Sequence, residues 1–213
     1  MTAQQRKEKT ELYLRELGIP FNIGLPIIDE EDEAIIRQPA DIAKRILVLA
    51  YLGVYAEDGD RNEIIEYLKS ENLWDTVSEN EKELFTQDEL TEKDKINISW
   101  RSEAINVLLW TINKVDNLDL PIEECNVGEI LDLLPDFLST SKEFIETATI
   151  RNTSEILDLA DLTFRLHWMT RQSGLEGKEP VLGINGGILQ ERHYALNWIT
   201  YYDENWDEIT TDT

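Results

Sequence analysis

One cysteine, two histidines and no long apolar run set the first limits on this chain of 213 residues. Cys125 has no partner for an intrachain disulfide, and a zinc cluster built on cysteines is out of reach. His-Glu-x-x-His is absent, and Glu191-Arg192-His193 has the wrong spacing for the Glu-x-x-His of di-iron bundles. The longest apolar stretch, Ile46 to Ala56, falls short of the ~20 residues a membrane-spanning helix needs and fits a buried helix instead. Met1 to Glu11 lacks the apolar core of a signal peptide. There is no repeat, low-complexity tract or linker-like stretch. These absences predict a cytoplasmic protein with one globular helical domain over residues 1–213.

Positive charge is the other scarcity. Against 44 Asp+Glu stand 20 Lys+Arg, a formal net charge of -24. The excess is spread rather than held in a tail: net -11 over residues 1–90, -7 over 91–150 and -6 over 151–213. Nucleic-acid affinity rests on Lys and Arg displacing counterions, so such a surface argues against nucleic acid and, for the same reason, against anionic membranes. A basic protein, a cation or a small ligand remains compatible with it.

Catalytic and cofactor signatures are also missing. No Gly-x-Ser-x-Gly elbow starts a hydrolase triad. Asp29 to Glu33 is acidic but lacks the alternating ligands and central glycine of a calcium loop. Gly183-Ile184-Asn185-Gly186-Gly187 lacks the Lys-Ser/Thr of a phosphate loop and reads as a helix entry. Nothing in the sequence calls for a metal or a cofactor.

What the chain does have is apolar spacing of three and four with helix punctuation. Helices are predicted from about Gln4 to Leu17, from Pro39 to Glu57, and from Asn62 to Leu73. Ser78 with Glu81, and Thr91 with Asp94, have capping-box spacing and open helices to about Phe85 and Val115. Further helices follow over Val127–Leu134, from Ser139 or Ser141 to Thr147, from Thr153 or Ser154 to Ser173, and, after a glycine-rich connector from Gly174 to Gly187, on to about Tyr201. The fold is read as all-α with about nine or ten helices, and at most a brief hairpin in the 174–187 connector.

Charges placed on otherwise apolar stripes are the informative residues. Ile96, Trp100, Glu103, Val107 and Trp110 share one stripe, which shields Glu103 between tryptophans, and Arg101 lies on the next stripe with Ile105 and Leu108. Asp161 and Arg165 are an acid-before-base pair at i,i+4. Arg192 shares a face with Ile188, Ala195 and Ile199, while His193 precedes Asn197 by four. With His167, these form a polar cluster, Arg101, Glu103, Arg165, His167, Glu191, Arg192, His193 and Asn197, readable either as a ligand pocket among three helices or as a buried network that fixes helix register. At the C-terminus, Trp206 is expected to dock onto the body beside Arg192.

Three segments carry a likeness: Ser99-Trp100-Arg101-Ser102-Glu103-Ala104 with Leu109-Trp110; Arg165-Leu166-His167-Trp168 with Arg171; and Glu191-Arg192-His193-Tyr194-Ala195-Leu196-Asn197-Trp198, followed by Trp206-Asp207 and Thr211-Asp212-Thr213. With Leu17-Gly18-Ile19-Pro20, they resemble a bacterial family described as domain of unknown function 4272. The likeness spans nearly the whole chain and implies that the polar cluster belongs to the pattern marking that family; it brings no activity, substrate or cofactor.

Two functions compete. In one, the protein is non-enzymatic and binds a basic macromolecule through its acidic surface, as an inhibitor or immunity protein would. In the other, the protein is an enzyme or a small-molecule sensor whose Arg/Glu/His cluster holds an anionic ligand, the arginines gripping carboxylate or phosphate and His167 or His193 exchanging protons.

Overall fold

The computed structural model describes residues 1–213 and is helical throughout, with nine α-helices, three short 3-10 turns and no strand. The helices are α1 (Ala3–Glu16), α2 (Pro39–Ala56), α3 (Arg61–Ser70), α4 (Glu79–Thr86), α5 (Glu92–Thr111), α6 (Val127–Leu131), α7 (Lys142–Glu146), α8 (Thr153–Leu175) and α9 (Gly186–Ile199). Their starts obey local chemistry. Both expected capping boxes form, Ser78 with Glu81 and Thr91 with Asp94, and Thr2 with Gln5 makes a third. Pro39 occupies the first turn of α2, where its missing N–H costs nothing.

Helix ends depart more from expectation. Helix α5 stops at Thr111 rather than Val115, because Asn113 takes a left-handed conformation, φ 58°. Arg151 braces this end: its backbone N–H donates to the Thr111 carbonyl, and its guanidinium adds bonds to the carbonyls of Trp110 and, beyond the helix, Val115. Helix α3 likewise ends at Ser70, ahead of left-handed Asn72. Helix α8 runs through Gly174, and the break comes at Gly177, φ +66°. The connector holds no hairpin; it tightens into a single 3-10 turn over Val181–Gly183.

Helix α5 packs between α2 and α9, α9 between α5 and α8, and α1 lies along the far side of α8. The main apolar core fills the space among α2, α5 and α9, and a smaller cluster (Leu14, Ile19, Leu166, Met169, Ile184 and Leu189) seals α1 and the α9 entry against α8. Ile96 is not part of the α5 core stripe: it is 57% exposed, since the first turns of α5 face solvent and burial begins at Ile98. At the entry to α9, Gly187 lets the Trp100 ring lie against the backbone; a Cβ there would stand 2.7 Å from Trp100 Cη2.

The C-terminal tail is docked. Trp206 is 3% exposed and meets Tyr194 and Trp198 edge-on, at 4.9 and 5.4 Å between ring centres. The cations beside it are Arg45 at 4.8 Å and Arg101 at 5.9 Å, not Arg192. Arg192 and Tyr194 are two positions apart, a rotation of about 200° that turns them to opposite faces of α9.

Candidate functional site

Glu191, Arg192 and His193 are consecutive, so their side chains fan out around α9 by roughly 100° per residue. That rotation divides the expected cluster into separate contacts. Toward the tail, Glu191 accepts from Arg101 Nη1 at 2.9 Å, with the guanidinium 4.9 Å from the Tyr194 ring. Burial raises the Glu191 carboxyl above its ordinary range, and Arg101 opposes the shift. Asn197, six residues further along α9, ties the tail by donating to the Thr210 carbonyl at 2.8 Å.

Arg192 faces the loop between α5 and α6. Its Nη1 donates to the Asp119 carbonyl at 2.7 Å, and its Nε lies 3.7 Å from Glu103 Oε2 without a hydrogen-bond partner on either atom. Glu103 Oε1 accepts from the Cys125 backbone N–H at 2.6 Å. Burial keeps the Cys125 thiol protonated, its pKa raised to about 12, which removes it as a nucleophile at neutral pH.

His193 faces α8 and meets His167, Nδ1 to Nδ1, at 2.9 Å with the rings nearly perpendicular. Burial lowers both pKa values, His167 to about 4 and His193 to about 3, with the neighbouring Arg171 adding to each shift. The pair is therefore neutral at pH 7: one ring donates its Nδ1–H, and the other accepts and carries its proton on Nε2.

Arg165 is remote from these contacts. It and Asp161 are both fully buried, joined by two hydrogen bonds of 2.7 and 3.0 Å as the i,i+4 spacing predicts. The remaining Arg165 contacts run to the Pro26 carbonyl and, at 3.7 Å, to Glu11 of α1. This pair locks α8 to the N-terminal segment.

Concavities lie on either side of α9. The larger is a cleft of about 820 Å³ over the loop between α5 and α6, carrying Asp119, Glu123, Glu124 and Glu129, with the amides of Asn106, Asn117 and Asn126 and with Arg192 at its floor. Four carboxylates against one guanidinium, itself matched by Glu103 behind it, make the cleft strongly negative. Asp119, Glu123 and Glu124 sit on the irregular loop and Glu129 on the exposed side of the short helix α6, so none of them interrupts an apolar stripe; the signal in the sequence is the long loop itself, the kind that often carries function. The smaller, about 350 Å³, has His193 and Asn197 on its wall. No three His, Cys, Asp or Glu side chains converge as a metal site, and no helix is long and apolar enough to cross a membrane.

Neither the curated proteins nor the solved structures contain a match to this chain. A family model described as domain of unknown function (DUF4272) matches residues 6–209, and by that coverage of nearly its whole length the chain belongs to the DUF4272 family.

Proposed function

We propose that the protein is a non-enzymatic binding protein of the cytoplasm whose partner is a basic protein segment, and that the acidic cleft between α5 and α6 seats it. The observation that carries this reading is the cleft itself: its Glu123, Glu124 and Glu129 are exposed and have no cationic side chain bound to them, in the largest concavity of a surface already at -24. The interior nearly balances its own charge, with five buried arginines against four buried carboxylates, so essentially the whole net charge lies on the outside.

The alternative, a small anion held by the polar cluster, draws less support. Arg101, Arg165 and Arg192 each face a carboxylate already, Glu191, Asp161 and Glu103, and they lie in different places. An anion would have to displace those partners.

The test is fluorescence anisotropy with a labelled oligolysine peptide. Each exposed charge pair contributes about 0.2–1 kcal/mol, so a triple Glu123→Gln/Glu124→Gln/Glu129→Gln variant is expected to bind about tenfold more weakly. Affinity is also expected to fall steeply as salt rises from about 0.1 to 1 M, where the screening length shrinks from about 10 to 3 Å. Equal affinity of the triple variant and the parent would remove the cleft as the seat.

A further inference from the structure

We propose a second, independent site: the cavity of about 350 Å³ between α8 and α9 binds a small apolar amine that carries a hydroxyl group at the end opposite its ammonium. Its volume is at the low end for small-molecule pockets. One wall is the α8 stripe of Leu157, Ala160 and Phe164, faced by Ile27 of the N-terminal segment. These surfaces take an apolar body. His193 and Asn197, one turn apart on α9, supply the polar inner wall, and Asp29 and Asp212 are exposed at the mouth.

Each end of the ligand follows from that arrangement. His193 is 4% exposed, and the only hydrogen bond of its ring is the Nδ1 contact with His167, which leaves Nε2 free. The two rings can share their protons in two ways, so His193 Nε2 is either an N–H donor or a bare acceptor. A hydroxyl serves both, since it donates and accepts. A carboxylate only accepts and an ammonium only donates, so each fits one arrangement alone. At the mouth, two carboxylates favour a cation, and Asp212 brings the end of the docked tail into the wall.

Tyramine, a phenol joined by two methylenes to an ammonium, is the probe, titrated by calorimetry while the His193 ring is followed by NMR. Saturable one-site binding with a shift of the His193 ring signals is expected. Phenethylamine, lacking the hydroxyl, and 4-ethylphenol, lacking the ammonium, are each expected to bind several-fold to about tenfold more weakly. Ala160→Leu, which fills the cavity, is expected to abolish binding, and Asp212→Asn, at an exposed position, to weaken it several-fold. The triple glutamine variant of the acidic cleft is expected to bind tyramine as the parent does, which separates the fate of this site from that of the cleft. No saturable binding, binding equal to that of phenethylamine, or binding that survives Ala160→Leu would overturn the proposal; equal phenethylamine binding would mean only general attraction to an acidic protein.

Discussion

At the scale of single residues, four of the five buried arginines, Arg6, Arg45, Arg165 and Arg192, face a carboxylate. Arg45, from α2, places Nη1 2.9 and 2.8 Å from the two oxygens of Glu81, both residues buried, and its guanidinium also donates to the Thr76 carbonyl. Removing one side of such a pair leaves the other charge buried and unmatched. Glu81→Ala is expected to destabilise the fold by about 3–5 kcal/mol in urea unfolding. The histidines give a prediction with a definite sign. Both are neutral when folded, with pKa values of about 4 and 3 against an unfolded value of 6.5. Below pH 6.5 the unfolded chain takes up protons that the folded chain refuses, so this contribution is full above 6.5 and is lost as pH falls through 4 and then 3. The imidazole NMR signals of His167 and His193 are accordingly expected not to titrate between about pH 8 and 5; a midpoint near 6.5 for either would contradict the buried pair. Periodicity made Glu103, Arg165, His167, Arg192 and His193 legible as inward-facing residues, and all five are buried. What it could not supply was their pairing. Asp161–Arg165 was readable because both members lie on one helix, whereas Arg45–Glu81 and His167–His193 join residues distant in sequence.

At the scale of elements, helix beginnings were legible because a cap is written in three or four adjacent residues. Helix ends were less so, since left-handed Asn72 and Asn113 are common residues in an uncommon conformation, Asn113 tied by its side-chain amide to Thr149, distant in sequence. Thr91→Ala, which removes half of the α5 capping box, is expected to cost about 1 kcal/mol and to leave the structure otherwise intact. The tail offers a larger effect. Besides the aromatic seat of Trp206, the Arg37 guanidinium donates to the carbonyls of Asp203 and Glu204 at 2.7 and 2.9 Å while lying over the Trp198 and Tyr201 rings. A segment that would otherwise fray is thereby built into the wall of the α9 face. Trp206→Ala is expected to lower stability by about 3–5 kcal/mol, with loss of near-UV signal from the Trp198–Trp206 pair. A variant with the parent's unfolding midpoint would mean the tail is a passenger. The docking of Trp206 was readable from an aromatic at a polar chain end, but its neighbours were not, because they depend on the face of α9 to which Tyr194 turns.

At the scale of the whole molecule, surface self-repulsion is the term most open to experiment. An overall -24 carried outside a nearly balanced interior opposes the compact state, since unfolding moves like charges apart. Salt acts on this in two opposing ways. It screens the repulsion, and it weakens exposed ion pairs such as Lys82–Glu79 and Lys178–Glu176. Those pairs contribute little each, about 0–1 kcal/mol. The buried pairs, Arg45–Glu81 and Arg165–Asp161, are shielded from the ions. With carboxylates outnumbering cations more than two to one and spread over every third of the chain, repulsion is the larger effect. The melting temperature is therefore expected to rise as sodium chloride increases from about 0.01 to 0.15 M, over which the screening length falls from about 30 to 8 Å, and to flatten beyond. Chloride is the right anion, because sulfate would raise stability by exclusion from the surface whatever the charge. A flat or falling curve would mean that the acidic groups are spaced widely enough not to repel. In that case charge neutralisation by a basic partner would add no stability through relief of strain, and the acidic cleft would have to hold its occupant through local contacts alone.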